Sequence, residues 1–111
     1  MTINTATGQP DARVVQTPHG FLVLPRDVFK RSGDDFKLLN NSDSTVRVTF
    51  PVLPMDPPSA DIPPRTTQVF RIVETPPGIY DYWVEVPLND RTRDLTLRAS
   101  GGSDPRIIID F

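Results

Sequence analysis

The chain has 111 residues and a formal net charge of -2, from 12 Lys plus Arg against 14 Asp plus Glu, and a chain of that size can bury about two-thirds of its unfolded surface in one core. With no Cys and a single His, disulfide staples and thiolate metal sites are excluded. Charges of both signs are interspersed and no run of ~18 apolar residues occurs, so neither a basic nucleic-acid face nor a membrane-spanning helix is expected.

Met1 to Pro10 is polar and small, without a basic start or an apolar run. It is expected to be flexible and shows no secretory signature. The expected location is therefore the cytoplasm, or outside the cell if a leader has been trimmed. Residues 11–111 are expected to form one domain. Thirteen prolines, scattered along the chain, break any long helical period.

Alternation survives this punctuation. Val46, Val48 and Phe50 face one way while Thr45, Arg47 and Thr49 face the other, and Leu95 and Leu97 alternate with Thr96 and Arg98. This is the period of a half-buried strand. Strands are predicted near 13–16, 21–24, 35–40, 45–50, 66–73, 79–86, 93–99 and 105–110. Thr17-Pro18-His19-Gly20, Asn41-Ser42-Asp43-Ser44 and Pro76-Pro77-Gly78 are predicted turns, and Asp27 to Arg31 a single helical turn. Short strands at regular spacing give an all-β Greek-key β-sandwich of about seven to eight strands.

Pro51 to Pro64 holds six prolines in fourteen residues together with Val52, Leu53, Met55 and Ile62. Proline presets backbone angles, so this segment is predicted to be a long ordered loop. It either carries recognition through Leu53 and Met55 or merely crosses between sheets and caps one end.

The run Ser32-Gly33-Asp34-Asp35-Phe36-Lys37-Leu38-Leu39-Asn40-Asn41, then Val46-Arg47-Val48-Thr49-Phe50, then Ile62-Pro63-Pro64-Arg65-Thr66-Thr67-Gln68-Val69-Phe70, then Pro77-Gly78-Ile79-Tyr80-Asp81-Tyr82 resembles, in that order, the cupredoxin family of blue copper proteins over about residues 21 to 110. A blue copper centre uses two imidazoles, one thiolate and a weak axial thioether. The resemblance implies that Val46 stands at the first His position, Val84 at the Cys position and Pro87 where the second His would lie. Met1 and Met55 precede the place of an axial ligand. The family's electron-transfer role is therefore not expected here, nor any other cofactor or enzyme activity, and the two valines are expected to extend the core.

Other chemistry is sparse. His19 stands alone in a turn, with no nucleophile or carboxylate arranged around it. Asp34, Asp35, Asp43, Asp56 and Asp61 lack the dense spacing of a calcium loop. Asn40-Asn41-Ser42 fits a glycosylation acceptor by chance. If Tyr80, Tyr82, Val84 and Val86 face the core, then Asp81, Trp83 and Glu85 face outward, and Trp83 is either a contact anchor or a residue packed under a neighbouring loop.

Arg106-Ile107-Ile108-Ile109-Asp110-Phe111 reads as a strand apolar on both faces, and an open edge there would invite a second copy of the chain. The expected role is a non-catalytic protein-interaction or structural module, as part of an assembly, with Trp83, Arg47, Arg71, Leu53 and Met55 as contact residues. A small-molecule or carbohydrate binding domain built on the proline-rich loop and outward aromatics is the alternative.

Overall fold

Alternating apolar and polar residues make strands wherever two runs can share a ladder, and here the partners are mostly distant in sequence. The computed structural model describes residues 9–18, 20–87, 96–98 and 105–110. Among them the strands are β1 (Ala12–Thr17), β2 (Gly20–Leu24), β3 (Asp27–Arg31), β4 (Asp35–Asn41), β5 (Val46–Thr49), β6 (Met55–Asp56), β7 (Ser59–Ile62), β8 (Thr66–Ile72), β9 (Gly78–Asp81), β10 (Trp83–Pro87), β11 (Thr96–Arg98) and β12 (Arg106–Asp110). No helix occurs among the described residues. The strands outnumber the eight expected, because the predicted 79–86 strand divides in two and β3, β6 and β7 arise where a helical turn and a loop are expected.

Three sheets result. One has the order β2-β1-β4-β8-β6, a second β11-β10-β5-β7, and a third β9-β12-β3. Pairing is antiparallel except for β1 with β4 and β12 with β3, which are parallel. Two of the sheets are thus mixed, the β11-β10-β5-β7 sheet is antiparallel throughout, and the fold is all-β. Their inward residues join one buried cluster: Val14, Phe36, Leu38, Phe70 and Ile72 from the first sheet, Val46, Val48, Ile62, Val84 and Val86 from the second, and Val28, Ile107 and Ile109 from the third. Phe36, Phe50, Phe70 and Tyr82 form its centre, with Phe50 4.9 Å from Phe70 at 70° and 5.3 Å from Tyr82 between ring centroids.

Two expectations are corrected. Asp27 to Arg31 is a strand, because β12 lies alongside it in parallel and supplies a ladder that no local signal announces. Pro51 to Pro64 is no extended loop: β6 pairs with the end of β8, and β7 forms the edge beside β5. Its prolines fall before, between and after these short strands, where no ladder donor is needed. The predicted 79–86 strand is broken at Tyr82 and serves two sheets. Of the predicted 93–99 strand only Thr96–Arg98 is described, and residues 1–8 and His19 lie outside the described residues.

Asn40 ties the fold's two crossings together. Fully buried, its amide donates to the carbonyls of Ser44 at 2.7 Å, Ile62 at 2.8 Å and Pro63 at 3.1 Å, and its carbonyl accepts from Ser42 Oγ at 2.6 Å. One side chain therefore fixes the β4–β5 turn against the end of β7. Replacing it by Leu strands several buried groups, each worth about 1–3 kcal/mol. We expect Asn40→Leu to lower the urea unfolding free energy by about 3 kcal/mol or more.

Tyr82 presents the reverse case. Its ring is fully buried, and its hydroxyl meets no hydrogen-bond partner among the described residues. Burial, aided by the charge of Asp11, pushes the phenol well above its ordinary value of 10.0. Because the unfolded chain ionises first, this group's share of stability is intact below that value and is lost as pH rises beyond it. Tyr82→Phe is expected to raise stability by about 1 kcal/mol, and to flatten the loss of stability above pH ~10, both read from denaturant curves across pH.

Candidate functional site

Of the three positions expected to stand at copper-ligand sites, Val46 and Val84 are buried, and the Pro87 side chain lies outside what the structure describes. Val84 lies opposite Val48 in the β10–β5 ladder, and Val46, Val48 and Val84 are all buried in the core. Their hydrocarbon cannot coordinate a metal. The carboxylates of the turns are dispersed rather than gathered: Asp43 meets Arg65 at 2.6 Å and Asp61 meets Arg47 at 2.9 Å. Asn40, as part of an acceptor tripeptide, is buried with its amide engaged.

The expected contact residues separate into three groups. Leu53 and Met55 are buried in the core, so their expected role at a surface is corrected: strand pairing by β6 turns this part of the proline-rich segment inward. Arg71 is exposed on β8, opposite Asp35 and Asp56, and lines a shallow depression with Ser32, Gly33 and Glu74. Arg47 and Trp83 do share a surface, the outer face of the β10-β5-β7 ladder, where Trp83 lies opposite Thr49 and Glu85 opposite Arg47. Arg47 is held there by Asp61, with Nε to Oδ1 at 2.9 Å and Nη2 to Oδ2 at 3.4 Å. Both partners are exposed, so the pair orients more than it stabilises.

Trp83 is half-buried in a groove lined by Pro51, Val52, Ile79, Tyr80 and Asp81. Both readings of this residue therefore have a basis: it faces outward, and it rests beside the start of the proline-rich segment. Tyr80 closes one wall, its hydroxyl donating to the Pro76 carbonyl at 2.8 Å.

Beyond Ile79 the groove opens onto a surface of which the sequence singles out only the isoleucine strand. Across the third sheet, Ile79 lies opposite Ile108, and Ile108 opposite Phe29. Inward neighbours Val28, Ile107 and Ile109 are in the core, so alternation turns this row outward, and Phe29 is 71% exposed and Ile79 61%. A second row, Asp81, Arg106 and Asp27, runs beside it, and Asp110 lies opposite Arg31 on the other flank. The β12 strand is thus paired on both sides. The open edge expected at this strand is absent, and what it offers is a face.

Arg106 grips Asp27 with two parallel bonds, Nε to Oδ1 and Nη2 to Oδ2, both 3.0 Å. Arg26 adds a longer contact at 3.4 Å. The Arg106 bond holds the Asp27 carboxyl below its ordinary value, against the opposing effect of desolvation, and Asp27 in turn raises Arg106. The pair clamps β3 to β12, the parallel ladder on which the apolar row stands. The sequence matches no family model, and no curated protein is similar to it at a significant level.

A carboxyl lowered on folding stabilises above its unfolded value and loses that contribution as pH falls through the folded one. Wild-type stability is therefore expected to decline below pH ~4 partly through Asp27. In Asp27→Asn, stability at neutral pH should be lower and the acid slope shallower, as measured by thermal melts between pH 2 and 7.

Proposed function

We propose that the chain is a non-catalytic protein-interaction module on a copper-free, cupredoxin-like Greek-key sandwich, working in the cytoplasm as a subunit of an assembly. The strand order supports the fold. Strands β4 and β8 are neighbours in one sheet, while β5 and β7, which lie between them in sequence, are neighbours in another, the nested pairing a Greek key produces. The valines at the resembled ligand positions support a module whose interior does no metal chemistry.

One observation carries the interaction reading: Ile79, Ile108 and Phe29 form an outward apolar row continuous with the Trp83 groove and flanked by charge. Isolated exposed apolar residues are ordinary, but a contiguous patch with a polar rim marks a docking surface. The contact residues become Phe29, Ile79 and Trp83, with Arg47 at the periphery.

Phe29→Asp and Trp83→Ala should each leave the melting temperature close to wild type and remove the same proteins from the set that co-purifies with the chain from its native source. Retention of an identical set by both variants would defeat the reading. The alternative, a carbohydrate or small-molecule platform, is favoured by the aromatic pair Tyr80 and Trp83 beside the Asp81 carboxylate. A ligand held there raises the melting temperature by mass action in wild type and not in Trp83→Ala.

A further inference from the structure

We infer that the outer face of the β9-β12-β3 sheet docks a second copy of this chain, face to face, about a two-fold axis lying along the row Ile79, Ile108 and Phe29. The inference rests on the interaction reading above and names its partner. Two sheet faces can be related by a two-fold axis in the plane between them, directed either along the strands or across them.

An axis along the strands would set Arg106 over its own copy and Asp81 over Asp27 of the second copy. Like charges would then meet at an interface that excludes water, which disfavours that arrangement. An axis across the strands reverses strand direction and keeps the cross-strand order. Ile79, Ile108 and Phe29 then each meet their own copies, while the Arg106 row of one chain overlies the Asp110 row of the other. Because Arg106 and Asp27 stand opposite each other at one end of the β12–β3 ladder, and Asp110 and Arg31 at the other, Arg106 faces Asp110 of the second copy and Asp27 faces Arg31. Symmetry supplies each contact twice. The bidentate Arg106–Asp27 pair is thereby extended into an alternating network of four charges at each end of an apolar stripe.

The size of the face sets the strength. Three strands about 4.8 Å apart and five residues of about 3.3 Å rise give less area than the ~800 Å² per partner of a standard stable interface. Val52, 72% exposed, and the Trp83 groove extend it past Ile79. A weak dimer that forms with concentration is expected rather than an obligate one.

The absence of cysteine makes the axis directly testable. Facing sheets lie about 10 Å apart, beyond disulfide reach, so a short bis-maleimide is the suitable probe. Phe29→Cys alone and Ile79→Cys alone should each cross-link to dimer, and an equimolar mixture should give no preference for the mixed product. Sedimentation equilibrium on the wild-type chain should show a monomer–dimer equilibrium, weakened at least tenfold in Phe29→Asp and in Arg31→Asp. A preference for the mixed Phe29→Cys and Ile79→Cys product would overturn the axis. Wild type of single-chain mass up to about millimolar concentration would overturn self-association. If in that case Phe29→Asp still loses co-purifying proteins, the interaction reading survives without this inference; if it loses none, both fail.

Discussion

The break at Tyr82 is the constraint on which the architecture depends. A single alternating run from Gly78 to Pro87 would ordinarily be one strand in one sheet, yet its first half pairs with β12 and its second half with β5 and β11. At the break the Tyr82 N–H donates to the Pro105 carbonyl at 3.0 Å, carrying the β9–β12 register one step further before the chain passes to the second sheet. The ring is driven into the aromatic centre, 5.5 Å from Phe36 and 5.3 Å from Phe50. Burying a ring of this size is worth several kilocalories, enough to outweigh an unpartnered hydroxyl. Side-chain alternation passes through the break unchanged. Ile79, Asp81, Trp83 and Glu85 consequently stay outside, and the apolar surfaces of two different sheets meet at one groove.

What was legible in the sequence follows from how local each signal is. The strands at β1, β2, β4, β5 and β8 carry their own alternation and turn residues, and they appear close to where those predict. Gly20 and Gly33 take positive φ values of 143° and 90° at turns, as glycine permits. The all-β class needed no more than this. The burial of Val46, Val48 and Val84 was legible for the same reason.

The remainder depends on pairings that the local pattern does not encode. Asp27 to Arg31 is too short and too mixed to declare a strand alone. It becomes one only because Arg106 to Asp110, 79 residues away along the chain, lies beside it. Phe29 was therefore invisible as a surface residue, since a helical turn gives it no face. In the proline-rich segment, composition suggested a presented loop, but β6 and β7 found edges to pair with, and Leu53 and Met55 went to the core. The isoleucine triplet reads as a strand apolar on both faces with an open edge; the edges of β12 are filled by β9 and β3, and its outer face carries Ile108 between Ile79 and Phe29.

The contrast between sheets gives that face its meaning. On the outer side of β5 and β10 the cross-strand row is Glu85, Arg47 and Asp61, charged throughout and joined by an ion pair, as a solvated face requires. The outer side of the third sheet uses the same alternation but places Ile79, Ile108 and Phe29 in the middle and charge only at the two ends. Nothing in the packing of the core demands this, because Val28, Ile107 and Ile109 already fill the inner side. A polar residue at position 29 would keep the ladder and the core unchanged while removing exposed hydrocarbon. The apolar centre is instead bounded by a bidentate Arg–Asp pair on one flank and by Arg31 and Asp110 on the other, and an apolar centre with a charged rim is the arrangement on which the proposed contact rests.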